Sequence, residues 1–357
     1  MPILHGRACI GIQIEKINSH LTALTVFLLV AGILVGIFVP TKYIHLKSRD
    51  AEHLSISKYT VSLDDNGEIR NFNYNPIKAE ELLTELFDAF NFNLQRIHST
   101  QFTIPKIILW RLPNSLQSLN DTSVRKQLFI KILLPLIIDK NKAILKKRRK
   151  IITLKKRGLP NLKNHQKNWV KEQFRYYKIL SMQEPKSEID AKLFNELLLR
   201  VNILPIPLAI AQAAIETGWG TSRFALIGNA LFGQWTWKEG GLTPSRRDHG
   251  QAHSIRSFIN LRDSVANYAQ NLNSSDFYSG FRIARLNFIK DARYSKNAST
   301  LLAKHISSYS QEGQDYVEKL LRVINSNRLE RFESLSNELR PVNLDIHLAL
   351  KSSVTEQ

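Results

Sequence analysis

The sequence predicts an α+β protein in which helices dominate, and three observations carry that expectation. Apolar residues recur at helical spacing through most of the stretch from residue 77 to 325, as in Val265, Tyr268 and Leu272 and again in Tyr316, Leu320 and Ile324. Strand signals are confined to a hairpin pattern around Asp64-Asp-Asn-Gly67 and a turn-rich segment from Lys238 to Phe258. Leu208 to Ile215 is apolar and rich in Ala, is preceded by Pro205 and Pro207, and is stopped by Gly218, the pattern of a buried helix. At 357 residues the chain is long enough for one large core or two modest ones.

Taken in order, Leu21 to Pro40 is twenty residues without a charge. At ~1.5 Å per helical residue it spans the ~30 Å of bilayer hydrocarbon, so it reads as one transmembrane helix. The apolar run is longer than the core of a usual signal peptide, and no small-x-small cleavage site follows before Lys42. Arg7 and Lys16 on one side and Lys42, Lys47 and Arg49 on the other give no charge bias toward exporting the C-terminal part. A small hairpin, a helix over residues 77–92 and interruptions at Pro105 and Pro113 fill a stalk over 41–120. Ser123 is the expected N-cap of a helix that Pro135 kinks and that ends near Gly158. A basic helical region over 121–190 is followed by a separate domain over 191–326, with helices at 191–201, 206–217, 261–273, 298–309 and 314–325 and a strand over 252–258. Residues 1–20 form a short leading segment, and 327–357, where periodicity fades, a loosely held tail.

A net charge of +19 implies attraction to polyanions, whether nucleic acid, anionic lipid headgroups or a bacterial envelope. The basic segment over 142–178 has Trp169, Phe174, Tyr176 and Tyr177 interleaved with its lysines and arginines. No RNA- or DNA-binding signature accompanies it, so a solvated or envelope-facing surface is expected and nucleic acid is not. Cys9 is the only cysteine, which excludes an internal disulfide and a Cys-rich zinc site, and the ten histidines lack ligand spacing, so no metal or cofactor is expected.

On the 206–217 helix Ala209, Gln212 and Glu216 share one face, and Glu216 is its only ionisable group. Glu216 lies in the last turn, among carbonyls of partial negative charge and near the apolar Trp219. Both features disfavour its carboxylate and raise its pKa, as a general acid needs at neutral pH. The plainer reading is a helix-end glutamate that reaches solvent.

The neighbouring residues choose between these. Ala211-Gln-Ala-Ala-Ile-Glu-Thr-Gly-Trp-Gly-Thr-Ser222 followed by Asn229-Ala-Leu-Phe-Gly233 resembles the signature of the family-73 endo-β-N-acetylglucosaminidases of bacterial cell walls. The resemblance covers about residues 105–325, is strongest over 204–282, and in Leu231-Phe-Gly-Gln-Trp-Thr-Trp237 is most similar to the Bax-type members. It implies a lysozyme-like fold, with a helical lobe and a small β lobe, acting on peptidoglycan glycan strands with Glu216 as acid. It also implies a single-pass protein of the bacterial inner membrane with its catalytic domain in the periplasm. Asp248 is the preferred second carboxylate, Glu239 the other candidate, and the 2-acetamido group of the sugar a possible nucleophile in their stead. Tyr309 takes the place of the family's late tyrosine, with Tyr278 in reserve. Gln212, Trp219, Asn229, Phe232, Trp235, Trp237 and Tyr278 are expected at the sugar site, the tryptophans by stacking. A muramidase, a lytic transglycosylase and a non-catalytic basic envelope-binding protein are the competing functions.

Overall fold

The computed structural model describes residues 60–63, 69–73, 79–99, 102–105, 107–180, 190–236, 241–243, 254–290 and 297–338. The apolar stretch Leu21 to Pro40 and the site candidates Glu239, Trp237 and Asp248 lie outside these residues. Among the described residues no helix is long and apolar enough to cross a membrane.

β1 (Thr60–Leu63) and β2 (Ile69–Asn73) pair antiparallel around the Asp64–Gly67 turn signal, with Val61 opposite Phe72. α1 (Ala79–Ala89) follows, and its Phe87 meets Phe92 edge-on in the core, so the second part of the expected stalk packs with the rest of the chain. α2 (Thr122–Arg157) is 36 residues long and continues through Pro135. Its cap is Asp121 rather than Ser123: the carboxylate accepts from the amides of Ser123 at 2.7 Å and Val124 at 3.2 Å. A charged acceptor satisfies these unpaired N–H groups and also answers the positive end of the helix dipole. α3 (Asn164–Tyr176) and α4 (Ala191–Arg200) lead to α5 (Ile206–Thr217).

α5 is the axis of the fold. Ten of its twelve residues are buried, so it is apolar around its circumference, as a helix enclosed on all sides must be. α2, α9 (Ala298–Ala303), α10 (Gln314–Ser326) and the C-terminal turn Leu329–Phe332 surround it. Its approach is held by polar side chains whose composition suggests surface. The Asn141 amide donates to Leu204 O at 2.9 Å and accepts from Leu204 N at 2.8 Å, replacing a strand neighbour. Arg148 donates to the carbonyls of Leu198 and Val201, and Arg285 to that of Ile203 at 2.9 Å. The last carbonyls of α4 have no partner within the helix and are buried, so a guanidinium with five donors is an economical way to satisfy them. Burial pulls the Arg148 pKa down to about 10, which leaves it charged at neutral pH.

After α6 (Arg223–Gly228) a small sheet forms: β3 (Trp235–Thr236) pairs antiparallel with β4 (Ser254–Ile255), and Leu242 bridges to Ile255. The described strand is thus shorter than the expected 252–258. α7 (Leu261–Ser274) and α8 (Ser279–Lys290) complete the helical part, and the whole is mostly helical α+β. The short α6 and α8 have no counterpart in the sequence reading. The helix expected over 298–309 ends at Ala303, and Ser307–Tyr309 is a separate 3-10 turn. The expected loose tail begins with a packed segment: Leu329, Phe332 and Leu335, the last in α11 (Glu333–Glu338), are buried against the core. One buried cluster runs from Leu83 to Leu335, so the basic helix α2 shares the core of α5 rather than forming a unit of its own.

Candidate active site

Glu216 stands where α5 stops. Gly218 adopts φ 58°, ψ 44°, and the Thr217 hydroxyl donates to Ala213 O at 2.6 Å while accepting from Gly220 N at 2.9 Å. This abrupt cap turns the chain away one residue after Glu216 and leaves its side chain half-buried. The chain then passes through α6, started by the Ser222 hydroxyl accepting from Ala225 N and ended by Asn229 at φ 52°. The Asn229 amide donates to the carbonyls of Phe258 at 3.0 Å and Ile259 at 3.1 Å, tying this loop to the end of the small sheet.

That tie returns Gly233 to the acid. Gly233 has φ +57°, and a Cβ there would collide with Glu216 Oε2. Glycine meets both demands without strain and without displacing the Glu216 carboxyl, which accounts for the last residue of the second signature block.

On the other side, the Tyr316 hydroxyl donates to Glu216 Oε1 at 3.0 Å. Its direction follows from its neighbours. Tyr268 OH donates to Gln212 Oε1 at 2.6 Å, so the amide presents Nε2 to the Tyr316 oxygen, 3.2 Å away. With its lone pair engaged by that N–H, Tyr316 directs its own proton to the carboxylate. Aromatic stacking supports the chain: Phe232 lies on Tyr268 with centroids 3.9 Å apart, and Tyr309 on Tyr316 at 5.6 Å.

Burial raises the Glu216 pKa and is the largest cause; the Tyr316 hydrogen bond opposes it, Glu312 adds to it and Lys319 subtracts. Burial and the Glu216 charge push the Tyr316 hydroxyl far up, so it stays a donor across the neutral range. The arrangement can hold a proton on a carboxyl group at higher pH than usual, release it, and stabilise the anion left behind with a phenolic O–H.

The sequence candidates divide sharply. Gln212 is fully buried and reaches the acid only through Tyr316, so it is no sugar contact. Asn229 and Phe232 are 1% exposed, with the Asn229 amide nitrogen and the Phe232 carbonyl engaged internally, and Tyr278 is buried with its pKa pushed up to about 12. Tyr309 does not bond the acid: its hydroxyl donates to Phe232 O at 2.7 Å. Tyr316, which the sequence presents as a core stripe residue of α10, makes that contact instead. Its position soon after Tyr309 was the available signal. Trp219 is half-buried, edge-on to Phe129 of α2 with the Lys126 ammonium 5.0 Å from its ring, which is a packing role. Trp235, 45% exposed on β3, is the described tryptophan open to a ligand. Among the described residues no group of three His, Cys, Asp or Glu is placed to hold a metal.

A family model described as mannosyl-glycoprotein endo-beta-N-acetylglucosaminidase matches residues 191–329. The chain is 30% identical over 207 residues to Protein bax of Escherichia coli (strain K12), an alignment covering 57% of this chain and 70% of that protein. No solved structure matches.

Proposed function

The chain belongs to the Bax-type members of the family-73 glucosaminidases, and from that membership we propose that it is a peptidoglycan hydrolase cleaving the β-1,4 bond after N-acetylglucosamine, with Glu216 as general acid. The observation that carries the reading is the half-buried Glu216 carboxyl, its pKa raised by burial and one oxygen held by Tyr316. As the glycosidic C–O bond breaks, Glu216 passes its proton to the leaving oxygen, and Tyr316 stabilises the carboxylate that forms. The oxocarbenium-like carbon is then met by water activated by a second carboxylate, for which Asp248 is our choice, or by the carbonyl oxygen of the sugar's own 2-acetamido group. Trp235 offers an exposed ring on the β lobe for a sugar face. The lysozyme-like arrangement of helical lobe, β lobe and cleft belongs to the same proposal.

The substrate lies outside the cytoplasmic membrane, so we place the domain in the periplasm, anchored by Leu21 to Pro40. A phosphatase fused after Gln357 is expected to be active; activity of a cytoplasmic reporter at that position would remove the substrate and overturn the assignment.

The direct test is hydrolysis of purified sacculi by the wild type and Glu216→Gln. Loss of a general acid costs ~10² to 10⁴-fold. Folded Glu216→Gln keeping more than about a tenth of the activity would refute the acid assignment. Reducing N-acetylglucosamine ends are the expected products; anhydromuramic ends would make the enzyme a lytic transglycosylase instead.

A further inference from the structure

Between Lys140 and Lys178 the chain carries fifteen Lys and Arg against one acid, Glu172. Arg148 is spent on buried carbonyls, and the other fourteen are half-buried or exposed. None of the fifteen is in an ion pair among the described residues. α3 returns antiparallel along α2, and the two helices are joined by lysines lying over aromatic rings: Lys150 3.9 Å from the Trp169 centroid, Lys147 4.5 Å from Tyr176. The cations crowd one another. Burial, then the charge of Lys140, pulls the Lys147 pKa down to about 8. A surface that keeps this repulsion with a single acid, Glu172, among fifteen cations is matched to an external anion.

Its place in the fold narrows the partner. The N-terminal third of α2 touches the catalytic end of α5, with Phe129 5.9 Å from Trp219. At ~1.5 Å per residue, Lys146 lies about 25 Å and Arg157 about 42 Å further along the helix. The basic pole is therefore remote from Glu216. Lysines beside partly exposed Trp and Tyr rings suit the headgroup layer of a membrane, where amphipathic rings and cations both settle. The same chain holds an uncharged stretch of bilayer length, Leu21 to Pro40.

We propose that the α2–α3 pole docks on anionic phospholipid headgroups and holds the Glu216 end facing away from the bilayer. The proposal rests on the membrane-anchored reading above, so its test separates the two. Full-length protein with Cys9→Ser and Asn168→Cys, labelled at residue 168 with an environment-sensitive dye, is reconstituted in lipid discs carrying a headgroup quencher. Quenching is expected in discs doped with phosphatidylglycerol and not in phosphatidylcholine alone. It is expected to fade as salt rises from about 0.1 M to about 0.5 M. Replacing Lys142, Lys146, Lys156 and Lys171 with Gln should lower the docked-to-undocked ratio about five-fold per lysine, since each charge near an anionic surface contributes about a factor of five. The same variant should hydrolyse sacculi in detergent as the wild type does. Equal quenching in both lipids, or quenching unmoved by the four substitutions in a protein of unchanged circular dichroism, would overturn docking while leaving the hydrolase reading intact. Release from anionic discs by a trace of duplex DNA would overturn it in favour of a nucleic-acid partner. Docking with inert sacculi would sink the hydrolase reading alone.

Discussion

Tyr316→Phe removes one hydroxyl and tests the electrostatics of the site in two ways. The Tyr316 O–H bonds the ionised form of Glu216 at 3.0 Å, so its loss raises a pKa that burial already holds up. A hydrogen bond to a charged group contributes about 1.5–3 kcal/mol, and one pKa unit is about 1.4 kcal/mol, giving a shift of about one to two units. Glu216 is half-buried rather than enclosed, and water will replace part of the lost bond, so about one unit is expected. An acid must be protonated to act, so activity falls as pH rises through its pKa. The variant should move the alkaline limb of kcat/KM upward by about one unit, measured by dye release from labelled peptidoglycan. The substitution also leaves the buried Gln212 Nε2 without its acceptor, at a cost of about 1–3 kcal/mol that urea unfolding will show. An alkaline limb that stays in place or moves down in a folded Tyr316→Phe would refute the assignment of that limb to a Glu216 held by Tyr316.

Tyr309→Phe should cost less activity than Tyr316→Phe and leave the limb unmoved, because its hydroxyl bonds the Phe232 carbonyl rather than the acid. Gly233→Ala forces a left-handed backbone at about 1–2 kcal/mol and drives a methyl into the Glu216 carboxyl; kcat should fall well beyond what the drop in melting temperature explains. Glu216→Gln should stabilise the fold at neutral pH. The unfolded glutamate loses its proton near 4.5 while the folded one keeps it to higher pH, so wild-type stability falls as pH rises through that window. The melting-temperature advantage of the variant should therefore grow from pH 4 to pH 7, and an advantage that shrinks would contradict the raised pKa. Asn141→Ala leaves both polar groups of Leu204 buried without partners, and a loss of about 2 kcal/mol or more is expected in urea.

Much of this protein was determined locally and is legible in its sequence. Most helices are: α4, α7 and α10 bury a stripe at fixed spacing and lie where that periodicity puts them, while α5, buried all round, is marked by its apolar Ala-rich run between Pro205 and Gly218. Glu216 is legible too, because the helix stop that exposes it uses residues within five positions of it. Tertiary structure decided what depends on contacts far apart in the chain. Tyr309 and Tyr316 are both tyrosines in the same neighbourhood, and only the docking of α10 on α5, a hundred residues away, brings the second to the acid. Gln212 shares the face of Glu216, yet Tyr268 and Tyr316 close over it and turn an apparent sugar ligand into a buried link. Arg148 reads as part of a solvated basic surface until the buried carbonyls around the end of α4 supply its acceptors, and nothing local in the sequence marks Arg285 for the same role. The packed start of the tail escaped notice because a four-residue turn and a six-residue helix are too short to show a period; their burial is conferred by α5, against which they lie.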